Sequence, residues 1–137
     1  MTQITFTPQQ QQAVTACGSS VIVSAAAGSG KTAVLAARCA YLVCDAPGDK
    51  RCNVDELLVV TFTEAAAAEM RSRIVEAMRE RASQDPEDAR LREQVALADV
   101  AAISTVHAFC QRIIRGWFSE LDIDPGAALM DEHEAAL

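Results

Sequence analysis

The stretch Ser24-Ala25-Ala26-Ala27-Gly28-Ser29-Gly30-Lys31-Thr32 decides how the remainder of the chain is interpreted. It follows the apolar run Val21-Ile22-Val23 and precedes a helix-like run that begins at Ala33. A strand, a glycine turn, a Lys-Thr pair and a helix, in that order, predict a P-loop for binding nucleotide phosphates. The full pattern also has a glycine five residues before Gly30, where this chain has Ala25.

The residue types of this loop suit a phosphate ligand. Gly28 and Gly30 lack a Cβ atom, so the backbone can adopt a tight turn and come close to an anion. Its N–H groups and the positive end of the following helix then meet at one place. Lys31 provides a charge for the β- and γ-phosphates, and the Thr32 hydroxyl is a candidate Mg²⁺ ligand. The candidate ATP-binding residues are Ala25, Ala26, Ala27, Gly28, Ser29, Gly30, Lys31 and Thr32, with Lys31 and Thr32 as the catalytic pair.

Composition excludes several classes of protein. Half of the 137 residues are apolar, but no apolar run approaches the ~20 residues of a membrane span. No signal peptide is recognised, and five cysteines without metal-ligand spacing predict reduced thiols, so we expect a cytoplasmic protein without a membrane partner. The net charge of −7 argues against a broad basic DNA-binding face, since the last basic residue is Arg115. A local groove for a single strand remains compatible with this charge.

The apolar pattern predicts alternating helices and strands. We expect helices from Pro8 to about Cys17, from the P-loop through Cys44, after the cap Thr63, after a second cap Asp85, and from Val106. Strands are expected at 21–23, 56–62, 100–105 and 127–130, with a further helix beginning at 131. The stripe of the Val106 helix, including Phe109 and Trp117, is expected in the core. Strands that alternate with helices indicate an α/β fold with a parallel sheet.

Three further motifs accompany the P-loop. They are Thr7-Pro8-Gln9-Gln10, then Val60-Thr61-Phe62-Thr63 with the Ala65–Met70 segment behind it, and Ser104-Thr105-Val106-His107-Ala108-Phe109-Cys110. Their order and content resemble the UvrD-like superfamily-one DNA helicases over nearly the whole chain. Within that superfamily the resemblance is to helicase–nuclease subunits of the AddA type.

The resemblance implies a RecA-like, three-layer P-loop NTPase fold. Residues 1–137 would be the incomplete N-terminal part of the first motor domain, without Walker B, the second motor domain or a nuclease domain. The full-length protein would be an ATP-dependent DNA helicase for double-strand break repair and recombination. It would act on single-stranded DNA and duplex ends with a second helicase–nuclease subunit, while the isolated fragment would be inactive.

The resemblance also implies roles for individual residues. Gln10 would read adenine, and Thr32 would hold Mg²⁺. Single-stranded DNA would contact two groups of residues, namely Thr61, Phe62 and Thr63, and Thr105 and His107. The chain departs from many relatives where Glu64-Ala65 replaces an Asn-Lys pair and where Ala33 replaces an arginine.

Other interpretations of the sequence stay open. The glycine loop could be an ordinary turn before a helix, and Phe62 and His107 could simply pack. No strand has a clear Asp-Glu end, which would suit a non-catalytic nucleotide- or DNA-binding fragment. A UvrD/Rep-type repair helicase without a nuclease is a further alternative. A small P-loop kinase is disfavoured because the other motifs would have no role in it.

Overall fold

The computed structural model describes residues 5–124 and 126–127. The helices are α1 (Pro8–Thr15), α2 (Lys31–Ala40), α3 (Glu64–Gln84), α4 (Ala89–Ala96) and α5 (Val106–Gly116). The strands are β1 (Leu58–Thr61) and β2 (Ala102–Thr105). A π-helical turn continues α2 over Tyr41–Asp45, and 3₁₀ turns occupy Gly48–Lys50, Val54–Glu56 and Leu97–Val100. The chain divides into two compact units, residues 1–105 and 106–137, each described by itself.

The two strands form a parallel pair in the first unit. Leu58 lies opposite Ala102, and the register continues to Thr61 opposite Thr105. Parallel strands require a long connection, which here contains α3 and α4. The result is a helix-rich α/β arrangement with a small parallel sheet, which confirms the predicted class at this coarse level. It also brings the carboxyl ends of both strands to the same edge.

The core of the first unit forms around α3, which contacts α2, α4 and both strands. Ile74 and Met78 lie on its inner side and are fully buried. Burial of each such side chain stabilises the fold by about 1.5–3 kcal/mol. The same cluster includes Ala36, Cys39, Ala40, Val43, Cys44, Val54, Val59, Met70, Leu91, Ala98, Ala101 and Ile103. In the described ranges no helix has the length and apolarity that crossing a membrane demands.

Side-chain caps explain where two of the helices begin. The Thr63 hydroxyl accepts a hydrogen bond from Ala66 N at 3.2 Å, which confirms the predicted start of α3. The predicted Asp85 cap is wrong, because Asp88 caps α4 by accepting from Leu91 N at 3.1 Å. Asp85 instead ends α3, and its carbonyl accepts from Asp88 N in the turn between the helices. Pro86 therefore lies in this turn.

Other predicted elements differ from the structure. Residues 21–23 form no strand, and Ile22 is 95% exposed. A strand needs a hydrogen-bonding partner, and β1 and β2 pair with each other instead. Trp117 is 54% exposed and α5 buries none of its side chains, so the expectation of core positions there is wrong. Apart from Ala127, the strand expected at 127–130 and the helix expected from 131 lie outside the described residues.

Candidate functional site

The glycine loop has the backbone geometry that a P-loop needs. Gly28 and Gly30 have φ angles of +76° and +82°, a region that L side chains rarely adopt. Between them, Ser29 N donates to the Ala26 carbonyl at 3.3 Å and closes a turn. Gly30 is the N-cap of α2 and provides no side chain to its N–H groups. These N–H groups therefore remain directed toward the loop, and residues 25–32 are all exposed.

Lys31 lies at the first position of α2 and folds back over the loop. Its Nζ atom donates to the carbonyl oxygens of Ala25 and Ala26, both at 2.7 Å. Thr32 follows in the first turn of the helix and is exposed. The positive charge, the hydroxyl and the helix N-terminus thus lie together on the solvent side of the loop.

Gln10 links α1 to this loop. Its Nε2 atom donates to the carbonyl of Ser29 at 3.0 Å, and its Oε1 atom accepts from Thr7 N at 2.8 Å. The Thr7 hydroxyl in turn accepts from Gln10 N at 3.3 Å, which completes a capping box at the start of α1. The predicted adenine-reading residue is therefore placed beside the P-loop.

Arg38 provides a second link that the sequence pattern did not reveal. Its Nη1 atom donates to the carbonyls of Ala13, Val14 and Ala16 at 2.9, 3.3 and 2.6 Å. These carbonyls belong to the C-terminal end of α1, where helical partners are lacking. Because Arg38 belongs to α2, α1 is tied to the P-loop helix at both of its ends. No sequence motif distinguishes such an arginine from an exposed one.

A second group of candidate residues lies at the carboxyl ends of β1 and β2. Thr61 and Thr105 are paired in register, and the Thr61 hydroxyl donates to the Thr63 carbonyl at 3.0 Å. Phe62 is 95% exposed, which is contrary to the packing alternative. Thr105 is buried, and its hydroxyl donates to Glu64 Oε1 at 2.9 Å. Sequence reasoning noted Glu64 only as a departure from relatives and missed this contact.

His107 belongs to the second unit. It lies in the first turn of α5 and is exposed. In the same helix, the Arg112 guanidinium lies 5.6 Å from the centre of the Phe109 ring, a cation–π distance. The expectation that His107 contacts DNA stays a prediction.

The loop residues fit a magnesium-bound nucleotide. Mg²⁺ is usually held by few protein oxygens together with waters and substrate phosphates, so the Thr32 hydroxyl suffices as a ligand. Across residues 5–124 and 126–127, no cluster of three or more His, Cys, Asp or Glu side chains is placed to hold a metal by itself. Lys31, the N–H groups of the loop and the glycine turn provide complementary donors for the phosphates.

The family to which this arrangement belongs follows from comparison with known proteins. Residues 6–137 match the UvrD/REP helicase N-terminal domain. The match covers nearly the whole chain, and the chain therefore belongs to the UvrD/REP helicase family. The resemblance drawn from the motifs is confirmed.

Individual relatives narrow the comparison to the AddA type. The chain is 48% identical over 132 residues to the ATP-dependent helicase/nuclease subunit of this type from Listeria welshimeri, covering 96% of this chain and 10% of that protein. The protein of the same description from Thermoanaerobacter pseudethanolicus gives the same identity and coverage. That of Lysinibacillus sphaericus is 48% identical over 134 residues, which is 98% of this chain and 11% of that protein. The chain thus spans about a tenth of the length of these relatives.

Proposed function

We propose that this chain forms one wall of the ATP site and part of the single-strand track of an ATP-dependent DNA helicase. Membership of the UvrD/REP helicase family and the named relatives support this proposal. The observation that carries it is the loop geometry, in which Gly28 and Gly30 have positive φ and Lys31 Nζ lies over the loop carbonyls. A nucleotide triphosphate is the ligand whose charge and size suit these donors.

The loop residues divide the binding of ATP among them. The N–H groups of residues 25–32 surround the phosphates, and Lys31 exchanges its carbonyl partners for β- and γ-phosphate oxygens. Thr32 provides its hydroxyl to Mg²⁺, and Gln10 contacts the adenine. Bound ATP and Mg²⁺ supply the hydrolysable phosphoanhydride and the neutralising charge for phosphoryl transfer. The chain's part in this chemistry is positioning and electrostatic stabilisation.

The strand ends provide the proposed contact with single-stranded DNA. Phe62 offers an aromatic face to the solvent, and base stacking on such a face contributes roughly 1–3 kcal/mol. Thr61, Thr63 and Thr105 lie around it at the same edge of the sheet. His107 adds a contact from the first turn of α5.

The proposal extends to the whole protein and its setting. Residues 1–137 form the P-loop half of a three-layer, RecA-like motor domain, and Walker B, a second motor domain and a nuclease domain lie elsewhere in the full-length chain. The protein acts with a second helicase–nuclease subunit on DNA ends during double-strand break repair and recombination in the cytoplasm. The length and description of the relatives support this assignment.

Substitution of the loop lysine tests the proposal. Lys31→Ala in the full-length protein is expected to abolish ATP-dependent unwinding, because the charge facing the β- and γ-phosphates is lost. Lys50→Ala is the matched control, since Lys50 is the other lysine of the chain and pairs only with the exposed Asp49. Strand-displacement assays measure both variants. Unwinding by Lys31→Ala at the wild-type rate would overturn the proposal.

A second candidate is a nucleotide- or DNA-binding segment without turnover of its own. The observation that favours it is that β1 and β2, the two strands of the described residues, both end in threonine and not in an acidic pair. ATP hydrolysis by the 137-residue chain, measured with and without DNA, separates the candidates. We expect binding without turnover, and robust turnover would show that the chain contains its own catalytic acid.

A further inference from the structure

An acidic side chain lies at the same edge as the proposed DNA contacts. Glu64 begins α3, two residues after the exposed ring of Phe62. Its Oε1 atom accepts the hydrogen bond from the buried Thr105 hydroxyl at 2.9 Å. The carboxylate is therefore held in place by the neighbouring strand.

The other polar groups at this edge are already engaged within the protein. The Thr61 hydroxyl donates to the Thr63 carbonyl, and the Thr63 hydroxyl accepts from Ala66 N. Arg71, the first basic residue along α3, donates to the carbonyls of Ala98, Asp99, Ala101 and Ile103. An ionised carboxylate has no proton to donate. This edge thus offers an aromatic face and a negative charge, and its nearest arginine is directed to the backbone.

We propose that Glu64 is a positioning residue that repels the DNA phosphates and leaves Phe62 to receive a base. This inference rests on the proposed single-strand contact. Two unit charges about 4 Å apart interact by ~1 kcal/mol in water and by more near a protein surface. The strand therefore passes this edge with its backbone turned outward and a base directed at Phe62. At this point the binding energy comes from stacking, and Glu64 opposes non-specific phosphate binding.

Salt-dependent DNA binding by the full-length protein tests this role. E64Q keeps an oxygen that accepts from Thr105 and removes the charge. We expect E64Q to bind a mixed-sequence single strand roughly threefold to tenfold more tightly at low salt, with the difference shrinking as salt screens the repulsion. Fluorescence anisotropy across a series of salt concentrations measures the affinities. E80Q is the matched control, because Glu80 is exposed on the same helix about 24 Å away.

The outcomes separate this inference from the proposed function. Equal or weaker binding by E64Q, relative to wild type at every salt concentration, would overturn the role of Glu64. If E64Q behaves like wild type and only Glu64→Ala loses affinity, the residue merely holds Thr105 and the proposal is also overturned. A wild-type protein that does not bind single strands would overturn the proposed function as well. Loss of affinity in Phe62→Ala, with tighter binding by E64Q, would support both.

Discussion

The side-chain amide of Gln10 joins the start of α1 to the glycine loop. Its oxygen accepts from Thr7 N and its nitrogen donates to the Ser29 carbonyl. Ser29 lies between the two glycines with positive φ. Both ends of the amide have partners, so contact with an adenine ring requires that at least one of these hydrogen bonds be exchanged. Recognition of the base would therefore be coupled to the conformation of the phosphate loop.

Removal of this amide is expected to weaken ATP binding. Gln10→Ala removes two hydrogen bonds, worth about 0.5–1.5 kcal/mol each, together with any contact to adenine. We expect a loss of affinity of roughly fivefold to thirtyfold in the full-length protein. Titration with a fluorescent ATP analogue measures it. Gln9→Ala, at an exposed position of the same helix, should bind like wild type, and the same affinity in Gln10→Ala would contradict the assignment.

At the scale of elements, α2 connects the phosphate loop to the core. One side of it holds Arg38, which fixes the end of α1. The other side is buried and includes Cys39, while Cys44 lies in the π-helical turn that follows. Burial, with a smaller contribution from Cys52, raises the pKa of the Cys39 thiol from 9.0 to about 11. Burial and then Asp45 raise the pKa of Cys44 from 9.0 to about 11 as well.

These two thiols predict a loss of stability in alkaline solution. Unfolded cysteines ionise near pH 9, whereas Cys39 and Cys44 keep their protons until about pH 11 in the folded protein. Their contribution to the free energy of unfolding is therefore complete below pH 9 and is lost between pH 9 and 11. Each thiol contributes a slope of up to about 1.4 kcal/mol per pH unit. Urea unfolding of the chain at a series of alkaline pH values measures it.

Cysteine variants identify the source of that slope. A double variant, Cys39→Ala with Cys44→Ala, should show a shallower decline above about pH 9, although its starting stability is lower because of the cavities. Cys110→Ala is the control, since that thiol is exposed. An identical slope in the double variant and the wild type would show that other groups cause the decline.

Local signals made some elements predictable and left others beyond reach. The start of α3 follows from Thr63 and the residues directly after it, because a cap acts within one turn. Near Asp85 two such signals compete, and the longer extension of α3 moves the next cap to Asp88. Residues 21–23 have the composition of a strand, but strand formation depends on a distant partner. Composition alone does not reveal whether that partner is present.

At the scale of the whole molecule, the candidate residues of the first unit form two groups. One group comprises Gln10 and the loop with Lys31, and the other comprises the ends of β1 and β2. The need for positive φ at Gly28 and Gly30 could be predicted, because glycine alone suits such turns. The Glu64–Thr105 contact could not, since it joins residues 41 positions apart along the chain and depends on how the two strands pair.

The measurement that tests the central claim most directly is a crystal structure of the full-length protein with Mg²⁺ and a non-hydrolysable ATP analogue. We expect Lys31 Nζ to leave the carbonyls of Ala25 and Ala26 and to contact the β- and γ-phosphates, with the Thr32 hydroxyl on Mg²⁺. A structure in which the triphosphate binds elsewhere, while Lys31 keeps its two carbonyl partners, would contradict the account.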